Sequence, residues 1–265
     1  MLDFQLLPNH LLSSYVEQVP RGMKEVFDGL KDAAVSTESF SFYTSVSAMA
    51  SSKIEGETLE IDSYVKYRML NVAHMADLVQ KPNDLYEAYI YAQKHSLSRE
   101  HFSEAHRKLA RHLLESSAQG ELRKSHMLVL EHKTMRIQYE AARAEQVPAL
   151  YEALWADIRT LLKSSLNIED SFYYAALLHL VFVNIHPFED GNGRAARLLE
   201  KWFLAEKLGP KAWFLQSELY YYQNVSIYYA CLNRLGLFYD ELDYNQSLPF
   251  LLMLPRALFL EQHSR

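Results

Sequence analysis

The scarcity of glycine and proline constrains the fold of this chain more than any other feature. The 265 residues include only 8 glycines and 8 prolines, well below the averages of roughly 7% and 5% in soluble proteins. Both residues interrupt helices, and proteins rich in tight turns need them often. The composition therefore predicts an all-α fold built of long helices. At this length the chain forms one large domain or two small ones.

The charge and cysteine content exclude several classes of function. With 33 acidic against 27 basic residues, a net charge of −6 and no block of basic residues, the chain lacks the positive surface of a nucleic-acid binder. Cys231 is the one cysteine, so no internal disulfide forms, which suits a reducing compartment. The N-terminus lacks the basic residues of a signal peptide, and the most apolar run, 172–185, is too short to span a bilayer. We expect a cytoplasmic protein that binds neither nucleic acid nor membrane.

Apolar periodicity predicts a succession of helices. They cover residues 61–78, residues 83–94 with Asn83 as the N-cap, a helix capped by Ser98, and residues 172–185 and 194–208. Two short apolar runs break this rhythm. The first begins at Met127, the second ends at Tyr139, and polar residues 131–134 separate them, a pattern typical of a β-hairpin. We therefore predict eight or more helices and one hairpin.

The segment from His186 to Arg197 reads HPFEDGNGRAAR. Gly191 and Gly193 lie just before a predicted helix, whose first amide groups lack helical partners and carry partial positive charge. Such a helix end binds phosphate. Asp-Gly and Asn-Gly are also common in tight turns, so the glycines alone leave a plain connection open.

The charged residues of this segment favour a phosphate site. Arg194 and Arg197 lie on one face of the first helical turn, where the helix dipole prefers acidic residues, so they indicate a bound anion. Asp190 offers the oxygen ligand that magnesium takes between phosphates. His186 supplies an imidazole, and an unperturbed imidazole, with a pKa near 6.5, can accept a hydroxyl proton at neutral pH. Together they predict phosphoryl or nucleotidyl transfer.

The same segment resembles the HxFx[DE]GNGRxxR signature of Fic domains, the Fic/Doc family of nucleotide-transferring enzymes, at every specified position. The resemblance covers roughly residues 85–235. It implies a helical Fic domain over this range, preceded by an N-terminal helical extension (1–84) and followed by a C-terminal helical tail (236–265).

The resemblance also implies an activity, the transfer of AMP from Mg-ATP to a Ser, Thr or Tyr hydroxyl of a target protein. It assigns His186 as the general base, Asp190 as the magnesium ligand, Gly191, Asn192 and Gly193 as the anion hole, Arg194 and Arg197 as ligands of the outer phosphates, and Asn224 and Tyr228 as lining of the adenine pocket. The related Doc toxins, which phosphorylate, carry lysine at the position of Gly193, so the glycine favours adenylylation.

Residues 51–56 read SSKIEG and resemble the [ST]xxxE[GN] inhibitory motif of the same family. Glu55 is then expected to pair bidentately with Arg197, which would occupy the donors that the γ-phosphate needs. The family suggests that this glutamate also orients a water that removes AMP from a modified target. A serine-rich helix end closed by Gly56 is the alternative interpretation.

The predicted hairpin corresponds to the flap by which Fic domains align a target segment as an added strand. We therefore expect the target protein to dock there, and an ordinary surface hairpin is the alternative. Because the loop is predicted to contact phosphates and not the base, transfer of another group, such as UMP, GMP or phosphocholine, is an alternative. A non-catalytic adaptor that merely binds nucleotide is a further alternative, and a homodimer is left open.

Overall fold

The computed structural model describes residues 2–30, 37–130 and 137–260. Helices dominate these ranges and one two-stranded hairpin accompanies them, which confirms the predicted helical fold. The α-helices are α1 Leu12–Gln18, α2 Met23–Asp28, α3 Thr37–Ile54, α4 Ile61–Leu70, α5 Ala76–Ala92, α6 Arg99–Leu109, α7 Val147–Lys163, α8 Ile168–Ile185, α9 Asn192–Leu208, α10 Ser217–Gln223, α11 Val225–Asn233, α12 Leu248–Leu251 and α13 Met253–Ala257, with short 3₁₀ helices at Pro210–Phe214, Tyr239–Glu241 and Tyr244–Gln246.

Helix α8 forms the centre of the core. Every residue from Ser171 to Phe182 is buried, so this helix is apolar around its whole circumference, as expected of a helix enclosed by others. It packs most extensively against α9, and α1, α7 and α12 also contact it. The segment between α8 and α9, residues 186–191, is thereby held at one end of the most buried helix pair.

The N-terminal helices pack on the same core. Ala48 and Ile54 of α3 belong to the main apolar cluster, which also includes Leu7 near the N-terminus and Met253 near the C-terminus. Each of the three predicted ranges, 1–84, 85–235 and 236–265, contributes to it, and the boundaries between them stay predictions. Because α3 ends at Ile54, residue 55 is presented at the end of a well-anchored helix.

Two details of the predicted helices are wrong. The helix predicted over 61–78 ends at Leu70, because Asn71 takes the left-handed conformation (φ 54°) that closes a helix and that asparagine tolerates. Asn83 is not an N-cap, since α5 runs through it. Its side chain instead bonds Tyr64 and Tyr67, at O···O 2.9 Å and N···O 3.1 Å. By contrast, the predicted cap Ser98 accepts a hydrogen bond from the His101 amide.

The hairpin forms where it was predicted. Strands β1 (Leu128–Leu130) and β2 (Ile137–Glu140) are antiparallel, with Leu128 opposite Glu140 and Val129 opposite Tyr139. The predicted connection, residues 131–134, lies outside the described residues. Among the helices described, none combines the length and apolar character needed to cross a membrane.

Candidate active site

The end of α8 places His186 in an unusual backbone conformation. Its φ of 53° is left-handed, which costs roughly 1–2 kcal/mol in a residue other than glycine, and such strain is often found at functional sites. The His186 amide still donates to the Phe182 carbonyl at 3.0 Å. The helix therefore stops at this residue, and its imidazole lines a cavity beside α9.

Hydrogen bonding fixes which nitrogen of His186 is basic. Nδ1 lies 3.1 Å from the Val183 carbonyl oxygen. A carbonyl only accepts, so Nδ1 carries the proton and Nε2 keeps its lone pair. Burial lowers the pKa of His186, and the nearby Arg123 guanidinium lowers it further. The imidazole is therefore neutral at pH 7 and can accept a proton through Nε2.

Asn192 and Phe188 hold the loop that follows. Asn192 Oδ1 accepts from the Phe188 amide at 2.9 Å, and its Nδ2 donates to the Phe188 carbonyl at 2.8 Å. Phe188 is fully buried and stacks on the His106 ring. Gly191 has φ 79°, and a Cβ there would lie 2.8 Å from Leu109 Cδ1. These contacts hold the loop in place directly before the first turn of α9.

His106 supports the loop in a way that the sequence did not indicate. Its Nδ1 accepts from the Gly120 amide at 3.0 Å, so Nε2 carries the proton and donates to the Asp190 carbonyl at 3.0 Å. Burial lowers the pKa of His106 to about 4. A neutral imidazole therefore fixes the backbone of Asp190, across a sequence separation that no local pattern reveals.

Asp190, the predicted magnesium ligand, lies in the loop directly before α9. Its carboxylate is exposed, and Oδ1 accepts from the Gly191 amide at 2.6 Å. Within the described ranges no cluster of three or more metal-ligating side chains exists. One carboxylate beside the predicted phosphate site fits magnesium, because that ion takes one or two carboxylates together with substrate phosphates and water. The metal assignment stays a prediction.

Arg197 lies on α9 with its whole side chain buried. Its Nη2 donates to Glu55 Oε1 at 2.6 Å, so the predicted pair forms. The pair is not bidentate, however, because the other donors are used elsewhere. Nε donates to Ser51 Oγ at 2.8 Å and Nη1 to the Tyr228 hydroxyl at 3.3 Å. Ser51, the first residue of the SSKIEG segment, thus binds the same arginine as Glu55 does.

Gly193 allows Glu55 to approach α9 closely. A Cβ at Gly193 would lie 2.4 Å from Glu55 Oε1, a distance that no real contact permits. Burial by itself would raise the pKa of Glu55, but Arg197 and Arg194 outweigh this and lower it. Glu55 is therefore an anion held at the N-terminus of α9, where the sequence predicts phosphate.

A second carboxylate, that of Glu57, contacts the other arginine. Glu57 Oε1 lies 3.4 Å from Arg194 Nη2 and 3.0 Å from Lys81 Nζ. Arg194 is almost fully buried, and its Nε has no hydrogen-bond partner within the described part of the chain. This nitrogen is therefore available as a donor to an anion or to a water molecule.

A cavity of about 120 Å³ lies between the start of α9 and the hairpin. His186, Glu55 and Arg197 line it together with Val129 and Tyr139 of the hairpin and residues of α11. Cavities that enclose ligands of drug size measure roughly 300–1,000 Å³, so the site is constricted while Glu55 occupies it.

Of the two residues predicted to line the adenine pocket, one lines the cavity and the other does not. Tyr228 lines the cavity, and its hydroxyl is hydrogen-bonded to both Arg197 and His179. Asn224 is not among the lining residues, and its Nδ2 donates to the Tyr220 carbonyl at 2.9 Å. Asn233, which the sequence did not single out, lines the cavity instead. The roles of Asn224 and Tyr228 toward a nucleotide stay predictions.

The fold and the site together define a helical protein with a glycine-containing loop between two buried helices and a glutamate–arginine pair beside it. The family model described as Fic/DOC family matches residues 96–204. This range contains the whole segment from His186 to Arg197, so the predicted resemblance to the Fic/Doc family is confirmed over these residues. The match lies inside the predicted range 85–235.

Solved structures share the fold over nearly the whole chain. A Fic family protein from Desulfovibrio desulfuricans G20 has a TM-score of 0.74 at 20% identity, covering 97% of this chain and 74% of that one. A Fic domain containing signaling protein from Bacteroides thetaiotaomicron VPI-5482 has a TM-score of 0.70 at 21% identity, covering 93% and 94%. Fic-1 (aa134–508) from C. elegans has a TM-score of 0.63 at 16% identity, covering 96% and 73%.

One curated relative matches over a short stretch. The protein adenylyltransferase Fic of Culex quinquefasciatus is 56% identical over 39 residues, which is 13% of this chain and 8% of that protein. The match therefore concerns a short segment and spans only a small part of that protein's length.

Proposed function

We propose that this protein is a protein adenylyltransferase that transfers AMP from Mg-ATP to a Ser, Thr or Tyr hydroxyl of a target protein and is restrained by Glu55. One observation carries the proposal. A neutral histidine, whose Nε2 has no hydrogen-bond partner among the described residues, shares a cavity with a buried arginine near the start of a helix, and a carboxylate pairs with that arginine. A base beside an anion site is what transfer from a nucleotide requires.

The chemistry assigns each group a task. Nε2 of His186 accepts the proton of the target hydroxyl while its oxygen forms a bond to the α-phosphorus. The bond from that phosphorus to the β-phosphate oxygen breaks, and pyrophosphate leaves. Arg197, Arg194 and the free amides at the start of α9 stabilise the negative charge on the phosphates. Magnesium, for which Asp190 is the proposed ligand, supplies charge neutralisation on the phosphates when bound.

Glu55 restrains the reaction by competing with the nucleotide. Its carboxylate accepts from Arg197 at 2.6 Å and lies so close to Gly193 that a Cβ there would collide with it. A γ-phosphate cannot use the same donor while Glu55 occupies it. A glutamate held there can also orient a water toward a bound AMP ester, so we include removal of AMP from a modified target in the proposal.

Isotope position tests the reaction class. The Glu55→Gly variant is incubated with magnesium and with ATP labelled either at the α- or at the γ-phosphate. We expect label on the protein itself or on a lysate protein from α-labelled ATP alone. Label from γ-labelled ATP would indicate phosphorylation, and no label from any donor would indicate the non-catalytic adaptor. Parallel reactions with UTP, GTP and CDP-choline identify another transferred group.

A second substitution tests the base. In the Glu55→Gly background, His186→Ala should bind ATP with unchanged affinity, because the arginines and amides are intact. It should lose transfer by roughly 10²–10⁴-fold, the usual contribution of a general base. Calorimetric titration measures the binding and label incorporation the rate. Equal rates with and without the imidazole would refute the role of His186.

A further inference from the structure

A buried arginine connects the hairpin to the end of α8. Arg123 lies between α6 and β1, and 2% of its surface is exposed. Its Nε donates to the His186 carbonyl at 2.6 Å, and Nη2 donates to the Ile185 carbonyl at 3.3 Å. Its main-chain amide donates to the Pro187 carbonyl at 2.9 Å. Three consecutive residues at the base of the catalytic loop are thereby bonded to Arg123.

The same guanidinium closes the base of the hairpin. Nη1 donates to the carbonyl of Ser125, which precedes β1, at 2.6 Å, and Nη2 donates to the carbonyl of Ala142, which follows β2. One rigid, planar group therefore joins both ends of the hairpin to His186. Two further hydrogen bonds join the hairpin region to residues near His186. The Tyr139 hydroxyl donates to the Asn184 carbonyl at 2.8 Å, and Ser125 Oγ donates to Glu189 Oε2 at 2.7 Å.

The contacts explain why this residue is an arginine. In the described ranges no carboxylate forms an ion pair with it, and burying a cation without one is costly. The carbonyls at the end of α8 carry the negative end of the helix dipole, which offsets part of that cost. Only arginine has donors in a fork wide enough to reach carbonyls on both sides, whereas lysine donates from a single nitrogen.

We propose that Arg123 is a positioning residue, which holds the hairpin at the distance from His186 at which a docked hydroxyl meets Nε2. The inference rests on the proposed transfer reaction and on docking of the target at the hairpin. Its physical basis is that the rate of a reaction between two bound groups depends steeply on their separation, so that a shift of 1 Å costs roughly 10²-fold. The nucleotide site does not depend on Arg123, since Arg194 and Arg197 lie on α9.

The test separates positioning from stability. In the Glu55→Gly background we compare Arg123→Lys and Arg123→Met with the unmodified background for transfer rate, ATP dissociation constant and melting temperature. We expect kcat to fall roughly ten- to a hundredfold, while the ATP dissociation constant changes less than about threefold. An unchanged kcat in Arg123→Lys would overturn the proposal, and so would parallel losses of kcat and ATP affinity.

Asp157→Asn serves as the control for lost stability. Asp157 is buried on α7, where it accepts hydrogen bonds from the amides of Gln5, Leu6 and Leu7 at 2.7–2.9 Å, and it contacts no residue of the site described above. This variant should lower the melting temperature but keep kcat.

Tyr139→Phe keeps the proposal testable if the Arg123 variants do not fold. It removes one hairpin bond without leaving a buried charge, and it should lower kcat with little change in ATP affinity. Unchanged kcat in this variant would then refute the positioning role. Absence of transfer in the Glu55→Gly background itself would instead refute the proposed function.

Discussion

Two carboxylates and two arginines face each other at the start of α9, and they are not equivalent. Glu55 contacts a fully buried guanidinium at 2.6 Å, whereas Glu57 contacts Arg194 at 3.4 Å and shares its oxygen with Lys81. Glu57 Oε1 thus lies between two cations, as a phosphate oxygen would. A carboxylate from the segment that follows α3 pairs with each arginine. Removal of one carboxylate therefore leaves the other ion pair in place.

We expect Glu57→Gln to raise ATP affinity by a smaller factor than Glu55→Gly does. A partly exposed ion pair is worth up to about 1 kcal/mol, which corresponds to at most roughly fivefold in the dissociation constant. Calorimetric titration with ATP and magnesium measures it. Glu60→Gln is the matched control, because Glu60 belongs to the same segment but pairs with Lys53, away from α9. Equal affinities of the Glu57 and Glu60 variants would contradict the competition.

At the scale of elements, the stability of α8 depends more on packing against neighbouring helices than on the caps at its ends. Asn167 caps its N-terminus by accepting from the Asp170 amide at 2.7 Å, yet most of the helix is enclosed by others. Asn167→Ala should therefore lower the free energy of unfolding by about 1 kcal/mol, the usual worth of an N-cap, and leave the transfer rate unchanged. Urea unfolding measures the change, and Ser165→Ala, an exposed neighbour, should change stability by less than about 0.5 kcal/mol. A lower transfer rate in Asn167→Ala would show that packing alone does not position His186.

The sequence predicted those elements whose signals are local. The positions of α8 and α9, the Ser98 cap and the two hairpin strands follow from periodicity, capping chemistry and alternation over a few residues. The prediction failed at Asn83, because its side chain bonds two tyrosines that are distant in sequence. Arg123 and His106 were missed for the same reason. Their partners are carbonyl and amide groups of the main chain, which every residue carries and which no pattern marks.

The same limit applies within the site. The pairing of Glu55 with Arg197 was predicted from a motif, but the predicted bidentate geometry was wrong, because the donors used by Ser51 and Tyr228 depend on how α3 and α11 pack against α9. Motif spacing predicts which groups meet. Tertiary packing decides through which atoms they meet.

At the scale of the whole molecule, buried neutral histidines make stability depend on pH. The pKa of His106 is about 4 in the folded protein, against roughly 6.5 in an unfolded chain. Below pH 6.5 the unfolded state binds the proton more readily, so folding stability falls as the pH falls and the loss is complete near pH 4. This histidine alone accounts for a loss of about 3 kcal/mol over that range. His186, whose pKa is also lowered, adds to it in the same direction.

Urea unfolding at pH 7.0 and pH 5.0 tests this dependence, with His106→Gln as the comparison. The wild-type protein should lose about 2 kcal/mol more between the two pH values than the variant does, because glutamine does not titrate. The variant's absolute stability will be lower, since it loses the stack on Phe188, but only the difference between the two pH values enters the argument. Equal differences for both proteins would mean that the pKa of His106 is the same in the folded and unfolded states, so that the imidazole is protonated in the folded protein at pH 5.0. Its Nδ1 could then not accept from Gly120, and the loop that carries Asp190 would need another support.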